Sequence, residues 1–448
     1  MNREARRETI RWIAAVLPLA FFAAFAAAQP AAQDRMPRVD AAKRGEIIEA
    51  IAADIDTIYV FPDVATRMIE HLRDRLRAGA YDDLGDLGAF TDRLTEDLQS
   101  ISHDRHLRVR PMPPEEAGPG HEVDNEHIDR RVRERWRRSN YGFLKIERLP
   151  GNVGYLDLRE FVDAEAGGRT AIAAMGMLAG SDAVILDLRQ NGGGSPSMIQ
   201  LISSYFFAEP VHLNSFYVRR EDRTDQFWSH AYVEGPRMVD TPLYILTSGY
   251  TFSAAEEFTY DMRNLERATI VGETTGGGAH PVDTMRYPEL GVRMSLPFGR
   301  AVNPITGTNW EGSGVEPHVE VPAPDALRVA YAKALEALRA SAGPERVGEI
   351  EWALDGLEAE PAELSAEELR AYAGQYGPRS VRLEGGGLVY QRGDAPAHEL
   401  IAVGKDQFHL ADDDSFRLRF ERDASGRVMT LVGCYDDGRE EPSPRSGG

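Results

Sequence analysis

Hydrophobic positions change rhythm along the chain. Between residues 41 and 102 apolar side chains recur every three or four positions, in RGEIIEAIAADIDTIY, in VATRMIEHLRDRLRAG and from Leu87 to Leu98. That period predicts amphipathic helices with a buried stripe. It breaks at Ser102-His103-Asp104, after which LRVRP, Leu107 to Pro111, reads as a strand. Residues 111–140 are charged and poor in large apolar side chains, a surface linker with a helix expected in DNEHIDRRVRERWRRSN. Its arginine run reads as a solvated helix face.

From Tyr141 onward strands and helices alternate. NVGYLDLREF is strand-like, and a helix is expected from about Ala164 to Leu178. AVILDLRQ reads as a buried strand that runs into a tight turn at Gly192-Gly193-Gly194 and then the helix SPSMIQLISSYFF. Ser195 suits the cap of that helix and Pro196 its first position. PLYILT, a turn, and a helix from Ser253 to Leu265 repeat the unit; ATIVGETT follows and ends at Gly276-Gly277-Gly278. Strand, glycine-rich turn and helix in repetition predict an α/β core whose functional loops lie at the strand C-termini. ALRVAYAKALEALRAS is a further helix, and residues 344–366 read as an acidic linker. Beyond it SVRLEGGGLVYQR, HELIAVG, DQFHLAD and FRLRFERDASGRVMTLVG are short strands between Gly, Asp and Ser turns, a small antiparallel β domain over 367–440. Residues 441–448 are expected to be a disordered tail.

The N-terminus adds an address. Arg3, Arg6, Arg7 and Arg11 precede an apolar run, Ile13 to Ala28, that ends in small residues. Basic flank, short apolar run and A-x-A ending predict a signal peptide over 1–28, cut after Ala28, with a linker over 29–40. The alternative is a retained anchor, for which the run is slightly short. No other segment is apolar enough to cross a bilayer, and no cysteine near the cut invites lipidation. A periplasmic or secreted protein is the expectation. With 42% hydrophobic and 27% charged residues among 448, the body has material for a sizeable core. The net charge of -21 argues against nucleic acid as a partner. The lone cysteine, Cys434, rules out an internal disulfide.

Cleavage by a serine needs an activated hydroxyl, a base, and donors aimed at the developing oxyanion. Ser253 stands at a predicted helix start, where backbone N–H groups favour anionic states; Ser253-Ala-Ala-Glu256 reads equally as a capping box. Ser248 is a rival serine within the turn. A glycine amide of the 192–194 turn, with the Ala254 N–H, would make a two-donor oxyanion hole; a plain turn is the bland alternative. Phosphate-binding glycine motifs are absent, as is the G-x-S-x-G elbow. His103 and His106 in SHDRH offer a base, half a metal site, or surface histidines; with no matching Cys/His cluster, a metal is not expected. Glu311, in NWEGSGVEPHVEV, can orient an imidazole or stand as a loop acid, and Glu316 nearby is a loop acid.

The order of these pieces is distinctive: HLRV, then ILDLRQNGGG, LTSGYTFSAAEEF, VGETTGGGAHP and WEGSGVEP. It resembles the C-terminal processing (tail-specific) serine peptidase family, in the branch with tricorn-type cores and the repeats of interphotoreceptor retinoid-binding protein, over roughly residues 41–340. The resemblance implies a ClpP/crotonase-like α/β core over 141–343, with the N-terminal helical subdomain, 41–110, carrying the base. It implies Ser253 as nucleophile, Gly193 and Ala254 as oxyanion donors, His106 as base by its place before LRV, and Glu311 as the acid of the relay. His103 is the alternative base, because Ser102-His103 copies the serine–histidine dipeptide of tricorn-type cores. The lysine used by another branch is absent from GETTGGGAH, and no PDZ-like segment is evident. The activity implied is a peptidase without cofactor or metal, acting on peptide or protein substrates. The alternatives are a non-catalytic binder of apolar ligands or peptides and, less compatible with export, a crotonase-type acyl-CoA enzyme.

Overall fold

The computed structural model describes residues 38–113, 116 and 125–446. The expected signal segment, its cut after Ala28 and residues 29–37 lie outside them.

The N-terminal helices α1 (Ala41–Ile58), α2 (Pro62–Arg77) and α3 (Leu87–Ser102) form as the period requires. Asp40 and Asp86 cap α1 and α3 by accepting the N–H of Lys43 and of Ala89, each at 2.9 Å. Ile47, Ile51, Ile55, Leu72, Phe90 and Leu94 fill the space between the helices. The strand β1 (Arg108–Pro111) follows, then α4 (Asn125–Arg138) within the charged segment.

The α/β core runs through β2 (Phe143–Leu149), β3 (Val153–Leu158), α5 (Ala164–Leu178), β4 (Ala183–Asp187), α6 (Pro196–Ser203), β5 (His212–Val218), β6 (Arg223–Trp228), β7 (Leu243–Thr247), α7 (Ala254–Asn264), β8 (Thr269–Gly272), β9 (Val282–Tyr287), β10 (Val292–Pro297), β11 (Gly299–Val302), β12 (Val319–Glu320) and α8 (Ala326–Ser341). Its main sheet has the order β12-β8-β7-β4-β3-β2, parallel throughout except for the β2–β3 pair. Alternation along each strand feeds the two faces. Val184, Leu186, Leu243 and Ile245 meet α5, α6 and α7, whereas Ile185, Tyr244 and Leu246 meet α8. Strands buried on both sides are continuously apolar, which is why AVILD and LYILT show no alternation in polarity.

Two smaller sheets flank this layer: β1-β10-β9, whose Val292, Met294 and Leu296 join the helical core, and β11-β5-β6. Through β1, the helical region and the second half of the core share one sheet. The mixed α/β core, the helical N-terminal region and the C-terminal antiparallel β domain agree with the expected fold class.

Corrections fall at the C-terminal end. The segment expected as an acidic linker contains α9 (Pro344–Glu358), whose Ile350, Ala353 and Leu354 pack with α8. Glu345, Glu351, Asp355 and Glu358 face outward, so the acidity that suggested a linker is only the solvent side of a helix. A short α10 (Ala366–Tyr372) leads into the strands β13 (Gly374–Tyr376), β14 (Arg379–Glu384), β15 (Gly387–Arg392), β16 (His398–Gly404), β17 (Gln407–Leu410), β18 (Phe416–Arg422), β19 (Val428–Tyr435) and β20 (Glu440–Pro444). Each pairs with the next, antiparallel. Residues 441–444 of the expected disordered tail are instead part of a strand: β20 pairs with β19, and Arg445 bridges to Tyr376, closing the meander into a barrel. Away from the Arg445–Tyr376 bridge one side of β20 is unpaired among the described residues, a position that tolerates Pro442 and Pro444.

Candidate active site

Ser253 sits where β7 passes into α7. Its backbone is at φ 55°, ψ -123°, a conformation that side-chain-bearing residues rarely adopt. Glu256, one turn into α7 and fully buried, holds the turn in place. Its carboxylate accepts the Ser253 N–H (2.9 Å), the Thr275 hydroxyl (2.5 Å) and the N–H groups of Gly277 (2.6 Å) and Gly278 (2.8 Å). Burial raises the Glu256 pKa, while these donors pull it back. The reciprocal half of the capping box is loose: the Ser253 side chain lies toward the Glu256 N–H without a well-formed cap bond. The hydroxyl is thus left available.

The glycine turn after β4 comes up against this serine. A Cβ added to Gly193, which has φ +118°, would lie 2.8 Å from Ser253 Cβ and 3.2 Å from Ala254 N. Only glycine allows that approach. Asn191, buried between the turns, donates to Leu158 O at 2.9 Å, while its backbone carbonyl accepts the Phe252 N–H at 3.1 Å. Its side-chain oxygen also accepts the Gly193 N–H, at 2.9 Å. The amide expected as an oxyanion donor is therefore already engaged. Neither Ala254 N–H nor Gly194 N–H has an acceptor within the described chain.

The histidine loop, between α3 and β1, approaches from the other side. His106 packs its ring on Phe252, with centroids 4.6 Å apart, and Arg105 reaches over the same phenyl ring to donate to Gly276 O at 2.5 Å. Both ring nitrogens of His106 are enclosed and, among the described residues, without a hydrogen-bond partner. Burial is the main cause that lowers its pKa to about 4, with the charge of Asp104 working against it. The imidazole is therefore neutral near pH 7. His103 ends α3 in the left-handed conformation, exposed to solvent. The structure brings His106, and not His103, to the serine turn.

Glu311 stands with residues that the sequence reading did not single out. His280 Nδ1 lies 2.6 Å from Asp104 Oδ2 and 3.5 Å from Glu311 Oε2. Glu311 also accepts the Ala279 N–H at 2.6 Å, and its other oxygen is buried without a partner among the described residues. Burial, then the charge of Asp104, raises the Glu311 pKa to about 7. Burial pulls His280 toward the neutral form, but the hydrogen bond and charge of Asp104 outweigh it and raise its pKa. Asp104 further accepts the backbone N–H of His106 at 3.0 Å, so it ties the His106 main chain to the His280 side chain. Asp104, His280 and Glu311 offer ligand atoms within 4.8 Å of one another. The Nδ1–Oδ2 contact is of hydrogen-bond length, which a metal ion would have to replace.

A cavity of about 350 Å³ opens beside Ser253, lined also by Ala254, Glu257, His280, Phe216, Phe227 and Trp310.

Residues 152–321 match the description peptidase family S41, and residues 41–135 match the N-terminal domain of peptidase S41 in eukaryotic IRBP. Together the matches take in more than half of the chain. The chain belongs to peptidase family S41. Solved structures similar to this S41 chain include a candidate peptidase from Parabacteroides merdae ATCC 43184, 18% identical, covering 68% of this chain and 99% of the other at a TM-score of 0.46. A lipoprotein from Streptococcus agalactiae is 14% identical over 66% of this chain and 97% of its own, at 0.43. The photosystem II D1 C-terminal processing protease is 14% identical over 62% of this chain and 93% of its own, at 0.41.

Sequence reasoning missed Asp104, Asn191, Glu257 and His280. Asp104 lies between the two histidines that drew attention, and His280 closes the glycine run GGGAH. A carboxylate and an imidazole in loops flanking the candidate site were the available signal, but their pairing spans 176 residues and leaves no local pattern.

Proposed function

We propose that this S41 member is an exported serine peptidase that hydrolyses peptide bonds of peptides, or of the C-terminal ends of unfolded proteins, through an acyl-enzyme on Ser253. The observation that supports this reading is convergence on the turn that carries Ser253. Ser253 heads α7 beside an Ala254 amide without an acceptor among the described residues, Gly193 lies against its Cβ, and a neutral imidazole rests on the ring of the preceding residue.

In this reading His106 takes the Ser253 proton as Oγ bonds to the substrate carbonyl carbon. The oxyanion is received by the Ala254 N–H and by Gly194, or by Gly193 once Asn191 releases it. The imidazolium then protonates the leaving amine, the C–N bond breaks, and Ser253 holds the acyl group as an ester. Water, deprotonated by the same ring, releases the acid. Glu311 stands one layer back, against His280, as the acid of the relay. A second assignment has a specific observation behind it: His280 lines the cavity with Ser253, and Asp104 holds its Nδ1, so His280 is the rival base.

An alkyl fluorophosphonate, which esterifies only an activated serine, tests the reading. One label per chain is expected on Ser253 and none in Ser253→Ala. His106→Ala is expected to slow labelling by about 10²- to 10⁴-fold, the usual worth of a general base. Slowing confined to His280→Ala would move the base to His280. A wild-type protein that takes no label would be a non-catalytic binder on the same fold. N-terminal sequencing of the exported chain is expected to begin at Gln29.

A further inference from the structure

We infer that the cavity beside Ser253 receives the substrate side chain at the scissile carbonyl, and that it selects lysine or arginine, whose cation ends on Glu257. The inference rests on the peptidase reading of Ser253 and adds the class of residue that is cut.

Position along α7 comes first. Glu257 follows Ser253 by four residues, so both lie on one face of the helix, and the rise between them is about 6 Å. A side chain that enters beside Ser253 and runs down that face meets a carboxylate at about the reach of an extended lysine. Both residues line the same cavity.

The walls suit a long aliphatic stem. Phe216 and Phe227 stand edge to face at 5.1 Å, and Trp310, Pro281 and Phe298 complete an apolar lining. Lysine and arginine bury their methylenes on such surfaces, and aromatic faces attract their cations.

The floor has more acceptors than donors. Glu257 is 4% exposed, and its one hydrogen bond comes from Asn214 Nδ2 to Oε1, at 3.3 Å. Oε2 has no partner among the described residues and is not enclosed. Behind it Asp261 keeps one bond, from Asn303 at 3.2 Å, and its Oδ2 is a buried orphan, as is Asn214 Oδ1. Asn214 and Asp261 are both fully buried. Buried polar atoms are nearly always paired, yet here the unpaired atoms around Glu257 are all acceptors. An ammonium brings three donors and a guanidinium five. Burial raises the pKa of both Glu257 and Asp261, and the charge of Glu257 adds to the rise at Asp261, so an entering cation would favour their charged forms. The other ionisable groups on the lining are His280, whose charge Asp104 balances at 2.6 Å, and the exposed Asp283.

The test compares α-aminoalkyl diphenyl phosphonates bearing lysine, norleucine and phenylalanine side chains, which esterify a catalytic serine at rates set by the pocket. With wild-type protein the lysine compound is expected to react about tenfold to a hundredfold faster than the norleucine one, the worth of a charge-assisted hydrogen bond. In Glu257→Gln the two rates are expected to converge. Norleucine or phenylalanine reacting as fast as lysine, on a protein whose Ser253 takes the fluorophosphonate, would overturn the pocket assignment and leave the peptidase reading standing. A second arm needs no chemistry at the serine: calorimetric binding of benzamidine against benzamide to full-length Ser253→Ala. Preference for benzamidine is expected, and equal binding would overturn the inference. Discrimination by Ser253→Ala with no fluorophosphonate labelling of the wild type would instead separate a cation pocket from a failed peptidase reading.

Discussion

An imidazole enclosed with nothing to bond, as at His106, costs folding energy whenever it is asked to carry a proton. The unfolded histidine titrates near 6.5 and the folded one near 4. As pH falls through that window the unfolded chain takes up a proton that the folded chain refuses, so stability present above 6.5 is progressively lost down to about 4. The shift amounts to a penalty on the order of 3 kcal/mol. Urea titrations should therefore show wild-type stability falling across that range by about this much more than that of His106→Gln; parallel curves would mean that the ring is solvated. The same values separate the two candidate bases. A base acts only when neutral, so labelling of Ser253 that depends on His106 should lose its acid limb near pH 4, whereas dependence on His280, raised above 6.5, should place the limb above 6.5. At this scale the sequence already shows a serine before a helix, a histidine before LRV and an acid in a Trp-Gly setting. It hides Asp104 and His280, because their meaning lies in a contact between distant loops.

Turns carry the next level. Phe252 is held between the histidine loop and the glycines after β8, and a methyl added at Gly278 would overlap both the Phe252 ring and the His106 ring. Gly278→Ala must push one of them away. The expected cost is about 1–3 kcal/mol of stability, as for other overpacked cores, together with slower fluorophosphonate labelling. Wild-type labelling with the full loss of stability would show that the ring contact is structural only. The strand–turn–helix units were legible because buried strands, glycine turns and helix caps each have local chemistry. Helix α9 was not: its buried stripe is Ile350, Ala353 and Leu354, too sparse to stand out among acids. Strand β20 was hidden for a similar reason. Its Pro- and Ser-containing sequence has poor intrinsic strand preference, and the unpaired edges of β19 and β13 supply the reason to extend.

For the molecule as a whole, the barrel and the core meet through α9. The Arg417 guanidinium lies 3.8 Å from the centre of the Trp352 ring, and the indole N–H donates to Asp414 O at 2.8 Å. Removing residues 440–448 opens the barrel and leaves β13 and β19 as bare edges. Hydrogen exchange should then quicken in those strands while α5, α6 and α7 keep their protection; equal loss in both would mean that barrel and core unfold as one unit. The bond between Asp104 and His280 has a consequence of another kind. It ties a loop of the helical region to a glycine loop that follows the serine in the chain, so a growing polypeptide carries residue 253 well before it can fasten that loop. Until synthesis has passed 280 and 311 and both loops can dock, the turn at residue 253 lacks the neighbours that complete its surroundings.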